Sequence, residues 1–186
     1  MRVVWGYCRG LTHRVSEVRP KDPGDTDLRR RTIGAMDTDV NGLDMLSRAE
    51  AVALLETGEV GRLVYTRRAL PAVLPVNYAV REGGILIWTG SASSLGRALR
   101  GAVVAFQVDG LDYATHSGWS VTVTGLAQVV TDGPKLARAR VDGPVPWAPG
   151  VKEHLICIPI DMVTGRWLGA RNPAVEDQQG LAQAAA

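Results

Sequence analysis

Hydrophobic and polar positions alternate along much of the stretch from Val60 to Val130. From Val60 to Thr66, Leu63 and Tyr65 fall on one face and Val64 on the other, the period of a strand. Leu70 to Val80 predicts a second strand. Pro71 and Pro75 cannot donate to a ladder, so it lies at a sheet edge or carries a bulge near Pro75. Arg81-Glu82-Gly83-Gly84 predicts a hairpin turn, the glycine pair permitting positive φ, and Ile85 to Thr89 a third strand. A short helix is expected from Ser93 or Ser94 through Leu99, closed by Gly101. The unbroken apolar run Ala102 to Val108 predicts a strand buried on both faces, followed by a loop from Asp109 to Ser117. Trp119 to Val130 alternates again, with Gly125 marking a bend or bulge. Lys135 to Val141 predicts a helix. Leu155 to Ile160 predicts the last strand, leading to Val163-Thr164-Gly165-Arg166-Trp167. Upstream, Ser47-Arg48-Ala49-Glu50 has the form of a capping box. Val52, Leu54 and Leu55 continue that helix, and Gly58 suits a left-handed end.

Six strands and three short helices without a βαβ rhythm predict a mainly β, mainly antiparallel barrel with helices covering its ends. At 186 residues one domain is expected, long enough to bury a core. Its bounds are placed at 43–170. Residues 1–42 lack periodicity and read as a disordered or loosely attached arm. Residues 171–186 are rich in Ala, Gln and Gly and read as a flexible tail. Met36 would begin a more compact protein, which raises the expectation that residues 1–35 reflect an extended gene start.

Charge changes this picture little. The net charge is +2. Residues 1–42 hold eight Lys and Arg against six Asp and Glu, and the remainder holds thirteen of each. The excess therefore sits in the arm. Asp22, Asp25 and Asp27 interleave with its basic residues and no DNA-binding motif follows, so the arm reads as solvated and no nucleic-acid partner is expected. No apolar run is long enough to span a bilayer and no secretory signal is read, so the expectation is a cytoplasmic protein without a membrane partner. Cys8 and Cys157 are few and far apart, and both are expected as free thiols in a reducing compartment.

The chemistry is approached by elimination. The chain has three histidines, His13, His116 and His154, and no nucleophile elbow, zinc spacing, phosphate loop of the nucleotide-triphosphatase kind or dinucleotide fingerprint. A chain so poor in acid–base groups is expected to borrow its chemistry from a cofactor. Thr89, Ser91, Ser93 and Ser94 crowd a strand-to-helix junction, where backbone amides and hydroxyls can hold an anion and Arg97 or Arg100 can add charge. Serine-rich helix capping without a ligand explains the same cluster equally well.

In order along the chain stand Gly61-Arg62-Leu63, Leu74-Pro75-Val76-Asn77-Tyr78, Ile87-Trp88-Thr89, Ser93-Ser94-Leu95, Val104-Ala105-Phe106-Gln107-Val108-Asp109, Gly118-Trp119-Ser120-Val121 and Val123-Thr124-Gly125. Trp147, and a strand ending in Ile160 before Thr164-Gly165, complete the set. This ordered set, from Leu46 to Leu168, resembles the pyridoxamine 5′-phosphate oxidase-like family. The resemblance implies an FMN-binding split β-barrel, usually a homodimer with flavin mononucleotide in the groove between subunits. It implies that Pro75, Val76, Asn77 and Tyr78 face the isoalloxazine ring, that Thr89, Ser91, Ser93 and Ser94 hold the phosphate with Arg97, and that Trp119 and Ser120 come near the flavin, from either subunit. Ser94 departs from the lysine that many members carry there, which removes a charge-assisted contact. Some relatives use a deazaflavin, an alternative for the same groove. Only Arg166 and Arg171 are available for the basic C-terminal cluster of true pyridoxamine phosphate oxidases. The expected function is therefore flavin-dependent redox chemistry on an unassigned small molecule and not vitamin B6 synthesis. A non-enzymatic flavin or haem module is the rival reading.

Overall fold

The structure is a computed structural model that describes Tyr7, Cys8 and residues 43–90 and 94–169. Its strands are β1 (Val60–Arg67), β2 (Leu70–Asn77), β3 (Ala79–Arg81), β4 (Gly84–Thr89), β5 (Val103–Asp112), β6 (Ser117–Leu126), β7 (Gln128–Val130), β8 (His154–Pro159) and β9 (Met162–Leu168). Helix α1 (Arg48–Glu56) precedes them, and α2 (Ser94–Leu99) and α3 (Gly133–Asp142) lie between strands. The strands form two antiparallel sheets, one of five in the order β2-β1-β5-β6-β9 and one of four in the order β3-β4-β8-β7, the halves of a split β-barrel.

The chain crosses between the sheets four times, once through α2 and three times at corners plugged by a buried residue. Tyr78 separates β2 from β3, Ala127 separates β6 from β7, and Ile160 lies between β8 and β9. Strand pairing stops at a corner, so each of these amides finds another acceptor. Tyr78 donates to the Glu59 carbonyl, Ala127 to Ala102 and Ile160 to Gly83. The inner faces meet in one core. Leu63, Val104, Phe106, Val121 and Val123 come from the five-stranded sheet, Ile85, Ile87, Ile156 and Ile158 from the other, and Leu54 and Leu55 from α1. Each such side chain contributes on the order of 1.5–3 kcal/mol by leaving water. The Tyr78 and Phe106 rings meet edge to face at 4.8 Å. A Cβ on Gly61 would overlap the Phe106 ring, so a glycine lets β1 pass over it.

A second cluster lies behind the four-stranded sheet, where Leu86, Trp88, Val130, Leu155 and Cys157 pack under Ala139 of α3 and under Tyr7. This makes β4 the strand buried on both faces: every residue from Gly84 to Thr89 is buried. The expectation that Ala102 to Val108 would be so buried is corrected. β5 alternates, with Val103 68% exposed, because none of the described residues covers the outer face of the five-stranded sheet.

Several other expectations change. The predicted second strand divides at Tyr78 between the two sheets. Pro75 pairs in register with Arg62 and β2 is the edge strand, so the edge, and not a bulge, accommodates its prolines. Strand pairing runs on to Asp112 and resumes at Ser117, which shrinks the predicted loop to a hairpin turn at Tyr113–His116. Val163 to Trp167 belongs to a further strand, β9. α1 carries the expected capping box, but its C-cap is Thr57 in right-handed conformation. Gly58 is needed instead for close approach, since a Cβ there would lie 2.7 Å from the Tyr78 hydroxyl. Gly125 stays in register and is likewise a contact glycine, a Cβ there reaching 2.8 Å from the Pro159 carbonyl oxygen of the facing sheet. The two cysteines are not free thiols. Cys8 and Cys157 form a disulfide with Cα atoms 5.6 Å apart. Sequence distance concealed this, because the fold brings together residues separated by 149 positions.

Candidate functional site

A cavity of about 450 Å³ opens between the end of β1, the second half of β2, the end of β4 and the start of α2. The proline-rich segment 143–153 forms its remaining wall. The apolar sides come from Tyr65, Leu74, Val76, Trp88 and Leu95, together with Pro144 and Pro146. The polar groups are the Asn77 amide, the Thr89 hydroxyl, the Arg67 guanidinium and the Lys152 ammonium. Among the described residues, no carboxylate and no histidine lines it. The cavity is thus an apolar slot with positive charge at its rim, suited to a planar ring that carries an anionic group.

Three contacts hold the proline-rich wall in place. The Trp147 amide donates to the Asn77 side-chain oxygen at 2.9 Å. Arg140 donates from its guanidinium to the Lys152 carbonyl at 2.9 Å and stacks over the Trp88 ring at 4.1 Å. Arg140 therefore fixes two walls at once, the Trp88 face and the backbone that carries Lys152. The Lys152 ammonium donates to the Pro149 carbonyl at 2.9 Å, which leaves further donors on the same nitrogen. Trp147 itself is 67% exposed and faces a smaller neighbouring cavity of about 270 Å³ that shares Asn77 and Pro144.

The structure brings together Pro75, Val76, Asn77 and Thr89 of the residues expected from sequence. Thr89 is buried at the end of β4. Tyr78 is not among the cavity's lining residues. Its hydroxyl donates to the Leu55 carbonyl at 2.6 Å in the core, and burial pushes its phenol up to about 12, against the smaller opposing effect of a backbone hydrogen bond from Gly58. Trp119 packs in the core with its indole against Gly110, the residue opposite it on β5. Ser120 lies on the outer face of the five-stranded sheet, accepting from the Gln107 amide at 3.3 Å. Gln107 and Arg62 both reach the Asp109 carboxylate, completing a polar cluster on that face. Within one chain, then, neither Trp119 nor Ser120 lines the cavity. Arg100 is exposed beyond the end of α2 and does not line it either. Ser91 and Ser93, and the side chains of Ser94 and Arg97, lie outside the described residues.

Sequence reasoning missed Tyr65, Arg67, Leu74 and Lys152. Arg67 looked like a turn residue, and Lys152 carries no local motif; only folding brings it opposite Thr89. The cluster Pro144, Pro146 and Pro149 around Trp147 was the one available signal that this loop is stiff enough to form a wall.

Comparison with known proteins fits this arrangement. The family model described as pyridoxamine 5′-phosphate oxidase matches residues 47–167. The uncharacterized protein Rv0080 of Mycobacterium tuberculosis is 40% identical over 126 residues, 64% of this chain and 82% of the relative. Among solved structures, the FAD binding protein from Mycobacterium smegmatis is 30% identical, with a TM-score of 0.56 over 67% of this chain and 96% of that one. An FAD-binding protein from Mesorhizobium loti shares the fold with a TM-score of 0.58, at 24% identity, over 68% and 99% of the two chains. With the split barrel, the ordered sequence set and a family match that runs from the cap of α1 through β9, the chain belongs to the pyridoxamine 5′-phosphate oxidase family.

Proposed function

We propose that this chain is a flavin-dependent oxidoreductase that acts on a small molecule and binds FMN in the 450 Å³ cavity, with FAD or a deazaflavin as the alternative forms of the same ligand. The observation that carries the reading is the pairing of an apolar slot with Lys152 and Arg67 at its rim. The residues present fit a flavin phosphate. Thr89 offers a hydroxyl at the strand end, and Lys152, from the opposite loop, supplies the positive charge that Ser94 does not. Trp88, Val76 and Leu95 offer apolar surface to a ring, and Asn77 keeps the proline-rich wall closed over it through Trp147, excluding water. A bound flavin supplies two-electron redox chemistry that no side chain of this cavity offers. In a homodimer, Ser120 and its polar neighbours on the outer face of one chain would meet the cavity of the other. Vitamin B6 synthesis is not proposed. Of the two C-terminal arginines, Arg166 is exposed on β9 and Arg171 lies outside the described residues, and the sequence offers only these two basic residues there for a substrate phosphate.

The test is the absorbance spectrum of the purified protein before and after denaturation, with mass spectrometry of what is released. Flavin bands that pass into the supernatant support the reading and name the form. Colourless protein that takes up neither FMN, FAD nor a deazaflavin sinks it. Lys152→Ala is expected to weaken binding by about tenfold or more, the scale of a charge-assisted contact. A second reading, a non-enzymatic flavin-binding module, is favoured by the absence of any carboxylate or histidine among the described lining residues. Bound flavin that no nicotinamide donor reduces would support that reading over the enzyme.

A further inference from the structure

The back of the four-stranded sheet is closed by only two described residues of the N-terminal arm. Tyr7 is buried over the cluster of Leu86, Trp88 and Leu155, and its hydroxyl donates to the Asp142 carboxylate at 3.2 Å. Arg138 lies 5.8 Å over the Tyr7 ring and bridges Glu82 and Asp142, at 2.6 and 3.2 Å. Beside Tyr7, half-buried Cys8 is bonded to Cys157, which is fully buried in β8. The strand next to β8 is shaped for this bond. A Cβ on Gly84 would lie 2.6 Å from the Cys157 sulfur and 2.7 Å from that of Cys8. Apart from the disulfide, the described residues hold these two by burial of the Tyr7 ring, its hydrogen bond to Asp142 and the contact with Arg138, which are individually weak.

We propose that Cys8–Cys157 is a redox clasp, which a dithiol reductant opens in the folded protein so that Tyr7 and Cys8 leave the back of the four-stranded sheet. A reductant thiolate attacks the sulfur of Cys8, the more accessible of the two, and Cys157 departs as a thiolate that takes up a proton. The second reductant thiol resolves the mixed disulfide, leaving Cys8 as a thiol and the reductant as its own disulfide. Two electrons and two protons pass to the protein. Release uncovers Leu86, Trp88 and Leu155. Trp88 also forms a wall of the cavity, so the clasp and the ligand site share one side chain.

The test needs no ligand and so stands or falls apart from the flavin reading. Full-length protein is alkylated before reduction and mapped by mass spectrometry. A linked Cys8–Cys157 peptide that millimolar dithiothreitol opens without denaturant is expected. Two alkylated thiols at the outset, or a bond that yields only after denaturation, overturns the clasp. Amide hydrogen exchange is then compared in oxidised protein, reduced protein and Cys8→Ser, which leaves Cys157 in the core. Exchange in β4 and α3 is expected to rise about tenfold on reduction. Cys8→Ser should match the reduced protein and ignore the reductant. Equal protection in all three states overturns the proposal.

Discussion

Tyr78 shows how much one side chain can decide. It marks the corner where the chain leaves one sheet for the other, and its hydroxyl satisfies a carbonyl of α1. Tyr78→Phe leaves the Leu55 carbonyl buried without that donor and should cost about 1–3 kcal/mol in urea unfolding at neutral pH. Its titration gives a second signature. The folded phenol is held near 12 against an ordinary value of 10.0, so folding favours the protonated form. That stability is complete below pH 10 and is lost as pH rises from 10 towards 12, by about 2–3 kcal/mol in all. The fall between pH 10 and 12 should therefore be shallower in Tyr78→Phe than in the parent protein. Gly61→Ala tests packing alone. Its new methyl meets the Phe106 ring and should lower the urea midpoint by an amount equivalent to about 1–3 kcal/mol at unchanged m-value. From sequence, Tyr78 was expected among the residues that face the flavin, although a tyrosine at a strand end is more often packing. A tyrosine at a strand end looks the same either way until the facing helix is known.

The decisive element is the proline-rich wall and its latch. Asn77→Ala removes the acceptor of the Trp147 amide, a bond worth about 1 kcal/mol, and should speed exchange of that amide about fivefold with unchanged global stability. Faster release of bound flavin should accompany it. At this scale the chain was legible where local chemistry decides. The capping box of α1, the Glu82-Gly83 turn and α2 closing at Gly101 all follow from residues a few positions apart. It was illegible where a partner strand decides. The first half of β5, Val103 to Phe106, is as apolar as β4, yet one strand is open on one side and the other is covered twice, and among the described residues α3, Tyr7 and Cys8 make that difference. The site divides in the same way. Pro75, Val76, Asn77 and Thr89 were found on the strands that frame the cavity, while Arg67, at the end of β1, looked like a turn residue and Lys152 arrives from a loop whose sequence carries no signature.

Among the described residues, the five-stranded sheet has an uncovered outer face. Across the five strands Val73, Val64, Ala105, Thr124 and Met162 stand side by side on the outer surface, with Val73 61% and Met162 63% exposed. If a second copy covers this face, as the proposed dimer requires, Val103→Glu buries a charge there. Sedimentation velocity should then show a monomer with unchanged circular dichroism, and a persisting dimer would place the interface elsewhere. The three corners at Tyr78, Ala127 and Ile160 have a consequence for how the protein comes into being. β4 must wait for β8, and β6 for β9, before either sheet is complete. On the ribosome, therefore, the four-stranded sheet cannot close until β8 has emerged, nor the five-stranded sheet until β9 has. A nascent chain halted within the 143–153 segment would hold β4 without its inner neighbour, a sticky intermediate that a chaperone has to shield.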